Sequence, residues 1–163
     1  MGAQRSGAIF SAVLGTPFGA LGILSTGEAL QEIVLLPATP PVAPRNSIAE
    51  LTVEQIERYL VDPDAPFNIP LVPRGTAFRQ RVWHAISAIP RGQCRSYGDL
   101  ARKLNSAPRA VGQACGDNPY PLIIPCHRVV AANSIGGFAH ESGGFLLDAK
   151  RWLLRHEGDL QLF

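Results

Sequence analysis

The chain has 163 residues, of which 46% are hydrophobic and 17% are charged. These proportions indicate a globular protein with a proper core and exclude a disordered chain. The three cysteines include no CxxC pair, which argues against a disulfide framework and indicates a reducing, cytoplasmic compartment. No stretch of the sequence is long and apolar enough to span a membrane, so we expect no membrane partner.

The net charge of +2 is unevenly distributed along the chain. Residues 1–70 contain three arginines and seven acidic residues, whereas residues 71–163 contain twelve basic and six acidic residues. The second part is therefore the one expected to meet a polyanion. An arginine-rich surface facing only solvent would carry the same charge, so charge alone leaves both interpretations open.

Short apolar blocks separated by turn residues fill the first part of the chain. They predict three antiparallel strands, at residues 8–14, 20–24 and 32–36. The break from Gly15 to Gly19 favours a hairpin over a signal peptide, which is the alternative for this run. After a proline-rich loop, Ser47 or Thr52 should cap a helix that ends near Leu60.

Four helices are predicted in the second part of the chain, at residues 76–89, 97–104, 108–116 and 148–156. Thr76 caps the first helix, and the short turn at 105–107 gives the next two a helix-turn-helix shape. The sequence thus predicts an α+β protein with two domains. Residues 1–70 form a structural domain with a small antiparallel sheet and a helix, and residues 71–163 form a mostly helical domain.

The segment Ile124-Pro125-Cys126-His127-Arg128 places a thiol directly before an imidazole. The apolar run that precedes it should carry the thiol into a dry interior, where desolvation favours the thiol over the thiolate. A cysteine held there beside a possible proton acceptor is a candidate nucleophile. Neighbouring side chains of an extended segment point in opposite directions, so His127 need not touch Cys126 directly. A packed, inert core cysteine is the alternative.

Eight motifs occur together and in order in the second part of the chain. They are Phe78-Arg79-Gln80-Arg81-Val82-Trp83, Ile89-Pro90-Arg91-Gly92, Ser96-Tyr97-Gly98-Asp99-Leu100-Ala101, Arg109-Ala110-Val111-Gly112, Asn118-Pro119, Pro125-Cys126-His127-Arg128, Gly136-Gly137-Phe138 and Leu153-Leu154-Arg155-His156-Glu157-Gly158. On these residues the chain resembles the O6-alkylguanine-DNA alkyltransferase family, which removes alkyl groups from damaged guanine. The first 70 residues match only by layout. The resemblance implies a ribonuclease H-like N-terminal domain and a winged-helix-like C-terminal domain.

The resemblance implies a catalytic set around Cys126. His127 takes the thiol proton through a bridging water, and Glu157 orients the imidazole through its other nitrogen. Asn118 holds the helix-turn-helix against the catalytic segment, and Tyr97 donates a hydrogen bond to the departing guanine. Taken alone, these residues have ordinary alternatives: a surface acid at Glu157, an Asn-Pro turn at Asn118 and a core aromatic at Tyr97.

The third predicted helix of the second part is rich in small residues, including Ala110 and Gly112, and has Arg109 at its start. Small residues allow close approach to a groove wall. The resemblance implies that this helix enters the DNA minor groove, while Arg109 takes the place of the extruded nucleotide in the base stack. A small-residue helix packed tightly on another helix is the alternative.

The resemblance also implies that backbone groups of the protein form hydrogen bonds with the guanine base. Val129, together with Cys126, offers carbonyls to the exocyclic amine, and the loop at Ala139 brings a backbone N–H to O6. Residues 140–149 are longer than in many relatives, so we expect a loop that walls the alkyl pocket and acts as a flexible lid. Lys150 matches a family lysine, with an exposed helix lysine as the alternative.

No metal and no cofactor are predicted. Cys94, Cys115 and His84 are spaced too irregularly for a zinc site. The eukaryotic members of the family carry zinc near the N-terminus, but residues 1–70 contain no Cys or His. Arg128 is expected to anchor its turn through a buried ion pair.

The sequence therefore predicts a monomeric DNA repair protein that binds double-stranded DNA and transfers the alkyl group of O6-alkylguanine irreversibly to Cys126. Three alternatives remain open. A cysteine hydrolase would need an oxyanion hole and would turn over many times. A helix-turn-helix regulator would need polar side chains that read bases, where Ala and Gly dominate. A non-catalytic alkyltransferase-like lesion binder would replace the nucleophile, and Cys126 speaks against it.

Overall fold

The computed structural model describes residues 9–140 and 144–158. The chain divides into two compact units, Met1–Pro73 and Arg74–Phe163. The division falls three residues after the boundary expected at 70/71. The architecture is mixed α and β, with a small antiparallel sheet in the first unit and mostly helices in the second.

The first unit is built on a three-stranded antiparallel sheet in the order β1-β2-β3. The strands are β1 Ala12–Thr16, β2 Gly19–Ser25 and β3 Leu30–Leu36, so the expected small antiparallel sheet is confirmed. Gly19 has φ +136° and lies against the backbone of Leu36, so a side chain there would be strained and would also clash. This glycine permits the tight connection between the first two strands.

Helix α1, Ser47–Val61, completes the first unit. Its cap is Asn46, whose Oδ1 accepts from the backbone N–H of Ala49 at 2.9 Å. The expected caps were therefore wrong: Ser47 is the first helical residue, and Thr52 lies inside the helix. The Thr52 hydroxyl is fully buried and donates to the carbonyl of Ile48 at 2.8 Å instead.

The described residues of the second unit form four α-helices and a short parallel strand pair. The helices are α2 Ala77–Ser87, α3 Tyr97–Lys103, α4 Pro108–Gly116 and α5 Gly144–His156, and the strands are β4 Arg95–Ser96 and β5 Val129–Val130. Thr76 caps α2 as expected, accepting from the N–H of Arg79 at 3.2 Å. The strand pair fixes the start of α3 beside the chain that follows Cys126.

Two local expectations were wrong. Cys126–Arg128 is a turn of 3₁₀-helix and not an extended segment, because Pro125 leads the chain into i→i+3 bonding that includes the Arg128 N–H and the Pro125 carbonyl at 2.9 Å. The segment 144–149 is helical and not part of a long loop, since α5 begins four residues before the expected start. Residues 141–143 of the expected loop lie outside the described residues. None of the helices described is both long and apolar enough to cross a membrane.

Candidate active site

The Cys126 thiol lies in the interior of the second unit and is 6% exposed. The preceding residues turn sharply, because Leu122 has φ +75° and Pro121 pairs with Ile124 in an isolated bridge. The Cys126 N–H then donates to the Ile124 carbonyl at 2.8 Å. The apolar run thus leads into the protein interior. Cys126 is the first residue of the 3₁₀ turn that follows this run, and its sulfur is buried there.

Asn118 contacts the sulfur directly. Its Nδ2 donates to Cys126 Sγ at 3.0 Å and to the Ile124 carbonyl at 2.9 Å, while its Oδ1 accepts from the Tyr120 N–H at 2.9 Å. The contacts with backbone groups are those expected of Asn118, but the contact with sulfur was not foreseen. Burial raises the pKa of Cys126, and this bond opposes part of the rise, because an amide N–H binds a thiolate more strongly than a thiol.

His127 is held by Glu157, and both side chains are completely buried. His127 Nε2 lies 2.9 Å from Glu157 Oε2. A carboxylate only accepts, so Nε2 carries the hydrogen and the lone pair is on Nδ1. Nδ1 is itself buried and has no hydrogen-bond partner in the part of the chain that the structure describes. The imidazole therefore offers a buried proton acceptor, Nδ1, in the same 3₁₀ turn as the thiol.

Arg128 completes the support of Glu157. Its Nε donates to Oε1 and one terminal nitrogen donates to Oε2, both at 2.9 Å, and the other terminal nitrogen donates to the Ile89 carbonyl at 2.7 Å. The expected buried ion pair of Arg128 is thus confirmed, with Glu157 as its partner. The guanidinium compensates the buried carboxylate and fixes its plane, which in turn fixes the ring of His127.

Burial sets the resting protonation of the thiol and the imidazole. Desolvation raises the pKa of Cys126, with smaller opposing effects from the Asn118 bond and the nearby charge of Lys150. Desolvation lowers the pKa of His127, opposed by the bond and charge of Glu157. The resting site at neutral pH therefore holds a neutral thiol and a neutral imidazole, and a thiolate forms only as the proton moves to His127.

Lys150 is fully buried beneath the site. Its Nζ donates to the carbonyls of Val129 and Gly137, both at 2.8 Å, and so ties the strand after the catalytic turn to the glycine loop. Desolvation lowers its pKa to about 8. The alternative of an exposed helix lysine was wrong. The signal was available, since Lys150 shares the helical spacing of the buried residues Leu147 and Leu154.

A cavity of about 80 Å³ opens beside Cys126. The C-terminal half of α4 forms part of its wall, and the loop 137–140 forms another part. Tyr97 also lines the cavity, and its hydroxyl packs on Gly136, where any side chain would crowd it. Burial raises the pKa of the Tyr97 phenol, so the hydroxyl remains a hydrogen-bond donor.

Of the residues expected to contact DNA or guanine, Gly112 and Ala139 line this cavity. Arg109 is exposed in the first turn of α4, Ala110 is half-buried, and Gly112 lines the cavity with open space around its Cα. Val129 is buried, and its carbonyl already accepts from Lys150. Ala139 lines the cavity in the left-handed region, at φ +50°.

A family model described as "6-O-methylguanine DNA methyltransferase, DNA binding domain" matches residues 77–159. The chain belongs to this family. A methylated-DNA–protein-cysteine methyltransferase of Haemophilus influenzae is 41% identical to it over 87% of this chain and 82% of the relative. One from Methanosarcina acetivorans is 33% identical over 92% of this chain and 99% of the relative. The resemblance read from the eight motifs is thereby confirmed.

Solved structures of the family share the fold. The Mycobacterium tuberculosis protein OGT in complex with DNA is 35% identical, has a TM-score of 0.75, and matches 89% of this chain and 90% of that one. An O6-methylguanine DNA methyltransferase from Methanococcus jannaschii is 30% identical with a TM-score of 0.66, over 93% and 95% of the two chains. The match extends over both units and not only over the segment that carries the motifs.

Proposed function

We propose that this protein repairs DNA by transferring the alkyl group of O6-alkylguanine to its own Cys126. One observation carries the proposal: a buried thiol beside a cavity shares a turn with an imidazole that is anchored by Glu157 and whose buried Nδ1 has no hydrogen-bond partner among the described residues. A core cysteine needs no such acceptor. The family membership supports the reaction, since its curated relatives are named for it.

The reaction begins with removal of the thiol proton. His127 Nδ1 accepts it through one water molecule, and Glu157 stabilises the imidazolium that forms. The Asn118 amide and the nearby cation of Lys150 stabilise the sulfur anion at the same time. Since the resting thiol and imidazole are both neutral, the ion pair exists only while the transfer takes place.

The thiolate then attacks the alkyl carbon of the lesion. A carbon–sulfur bond forms as the carbon–oxygen bond breaks, and the electron pair of that bond remains on the guanine. The Tyr97 hydroxyl donates a hydrogen bond to the departing base, whose negative charge it stabilises. The product is a thioether on Cys126, which has no activated leaving group, so each molecule acts once.

Helix α4 is the proposed DNA-binding element. Arg109 lies exposed at its start, and open space surrounds the Cα of Gly112, so the protein's own packing does not require a glycine there. The exposed Arg109 and the small residues of α4 suit close approach to a minor groove wall, with Arg109 filling the gap left by an extruded nucleotide. The positive charge of the second part of the chain supports contact with phosphates.

The two units therefore have different proposed roles. The C-terminal unit, with a helix-turn-helix in a winged-helix-like arrangement, carries DNA binding and transfer, and the N-terminal unit, with a ribonuclease H-like sheet and helix, is structural. The protein acts as a monomer on chromosomal DNA in the cytoplasm. Neither a metal nor a cofactor enters the proposed chemistry, because the nucleophile, base and leaving-group donor are all side chains.

Mass spectrometry tests the proposal. We expect one methyl group on the peptide containing Cys126 after incubation with a duplex carrying O6-methylguanine, and no more than one equivalent of repaired base. Cys126→Ser should abolish transfer and leave DNA binding intact. Repeated turnover on an ester substrate would instead identify a cysteine hydrolase, and lesion binding without transfer by the wild-type protein would identify a non-catalytic binder.

A further inference from the structure

His140 occupies a distinctive position at the edge of the cavity beside Cys126. It follows Phe138 and Ala139 in the loop wall, and both Ala139 and His140 adopt left-handed backbone conformations, with φ +50° and +69°. Non-glycine residues rarely take this conformation, and two in succession must be held by their contacts. The side chain of His140 reaches from this loop to the end of α4.

The imidazole ring of His140 packs against Gly116. A methyl group on Gly116 would overlap three atoms of the ring, so the ring rests directly on the backbone at the end of α4. Both residues line the cavity. The close approach depends on the missing side chain of Gly116, and it brings the loop and the end of α4 together at this point.

Asp117 fixes the ring in this position. His140 Nε2 lies 2.9 Å from Asp117 Oδ1, and the other carboxylate oxygen, Oδ2, accepts from Arg79 at 2.6 Å. Arg79 belongs to α2, so the loop is tied through Asp117 to two helices. The His140 side chain is nevertheless 36% exposed, which means that solvent lies on its far side.

We infer that His140, latched to Asp117 across Gly116, is a specificity-determining residue that limits the size of the O6 substituent accepted by Cys126. The inference rests on the proposed alkyl transfer. A carbon attacked by the sulfur must lie in the cavity, and any larger group attached to that carbon meets the fixed walls. A methyl group needs no displacement of the latch, whereas a benzyl group adds a six-membered ring that must displace His140 or pass into the solvent behind it.

The test compares two lesions in one duplex sequence, O6-methylguanine and O6-benzylguanine. The quantity measured is the ratio of the single-turnover rate constants for benzyl and methyl transfer. For His140→Ala we expect this ratio to rise at least tenfold over the wild type, because the opening to solvent accepts the ring. Asp117→Asn, which weakens the latch and keeps the imidazole, should give a smaller rise. His84→Ala, a change at an exposed histidine of α2, serves as the matched control and should leave the ratio unchanged.

The outcomes separate this inference from the proposed function. If the wild type transfers methyl to Cys126 but His140→Ala leaves the ratio at the wild-type value, the latch does not select substrates. A variant that lowers both rates equally has lost only stability or DNA binding, and this too overturns the inference. Failure of the wild type to transfer methyl would reject the proposed function itself. Thermal unfolding of each variant shows whether it is folded, and Asp117→Asn provides the test should His140→Ala not fold.

Discussion

The Nε2 atom of His127 lies 2.9 Å from Oε2 of Glu157, and neither side chain is exposed to solvent. Arg128 binds the same carboxylate through two nitrogens, so three charged or titratable groups share one buried site. Since the carboxylate compensates the guanidinium and also orients the imidazole, Glu157 links the stability of the second unit to its chemistry.

Glu157→Gln should therefore impair both properties. The neutral amide leaves the guanidinium of Arg128 uncompensated, which should lower the free energy of unfolding by roughly 3–5 kcal/mol. Loss of the anion that stabilises the imidazolium should slow methyl transfer by a factor of about 100 or more. Urea unfolding and single-turnover transfer measure the two effects. Glu54→Gln, on the exposed face of α1, is the control, and a transfer rate unchanged in Glu157→Gln would contradict the assigned role.

Asn118→Ala should make the thiol less reactive. Removing Nδ2 deletes the donor that favours the thiolate, so the pKa of Cys126 should rise further above its usual value. We expect alkylation of Cys126 by iodoacetamide at pH 7.5 to slow by about tenfold, corresponding to one pKa unit. Peptide mass spectrometry distinguishes Cys126 from Cys94 and Cys115. An equal slowing at all three cysteines would indicate general loss of structure instead.

Lys150→Met should reduce thiol reactivity in a pH-dependent way. The cation lowers the pKa of Cys126 only while it is protonated, and the pKa of Lys150 is about 8. The ratio of wild-type to Lys150→Met alkylation rates should therefore be largest below pH 8, at roughly tenfold, and should decrease as the pH rises above it. A ratio that stays constant across this range would mean that Lys150 acts only by joining Val129 to Gly137.

Protonation of His127 should destabilise the folded protein in acid. Burial lowers the pKa of His127 below 6.5, its value in the unfolded chain, so the unfolded state takes up this proton first as the pH falls. The free energy of unfolding should then decrease below about pH 6.5, by up to about 1.4 kcal/mol per pH unit from this group. Urea unfolding between pH 7.5 and 5 measures the slope. His127→Gln should be flatter over the same window, and equal slopes would contradict a buried neutral imidazole.

Local patterns predicted the elements of the fold better than the contacts of the site. The three strands and the bounds of α4 follow from apolar spacing and turn residues, which are properties of neighbouring positions. The contact of Asn118 with sulfur depends on the 3₁₀ turn at Cys126, and an extended segment was expected there.

Tertiary contacts were harder to foresee, since they join residues far apart in the chain. The pair formed by His140 and Asp117 spans 23 positions and requires a glycine at 116, and no single motif contains all three residues. Lys150 shows the opposite case. Its helical spacing with buried leucines predicts an interior position, but a lysine is rarely fully buried unless paired, and its partners are backbone carbonyls that no sequence pattern marks.

Methylation of Cys126 should destabilise the protein. The added methyl group takes space beside Sγ, so the 3.0 Å contact between Asn118 Nδ2 and the sulfur is disturbed, and the connection between the end of α4 and the catalytic turn weakens with it. The added carbon must also fit between Asn118 and the cavity walls. Together these effects should lower the free energy of unfolding by roughly 1–3 kcal/mol. The melting temperature should fall by about 2–4 °C for each kcal/mol in a chain of 163 residues. Differential scanning calorimetry before and after stoichiometric transfer measures the change, with Cys126→Ser incubated with the same duplex as the control. Equal melting temperatures of the methylated and unmethylated proteins would contradict this prediction, because the sulfur would then contribute nothing to the packing of α4.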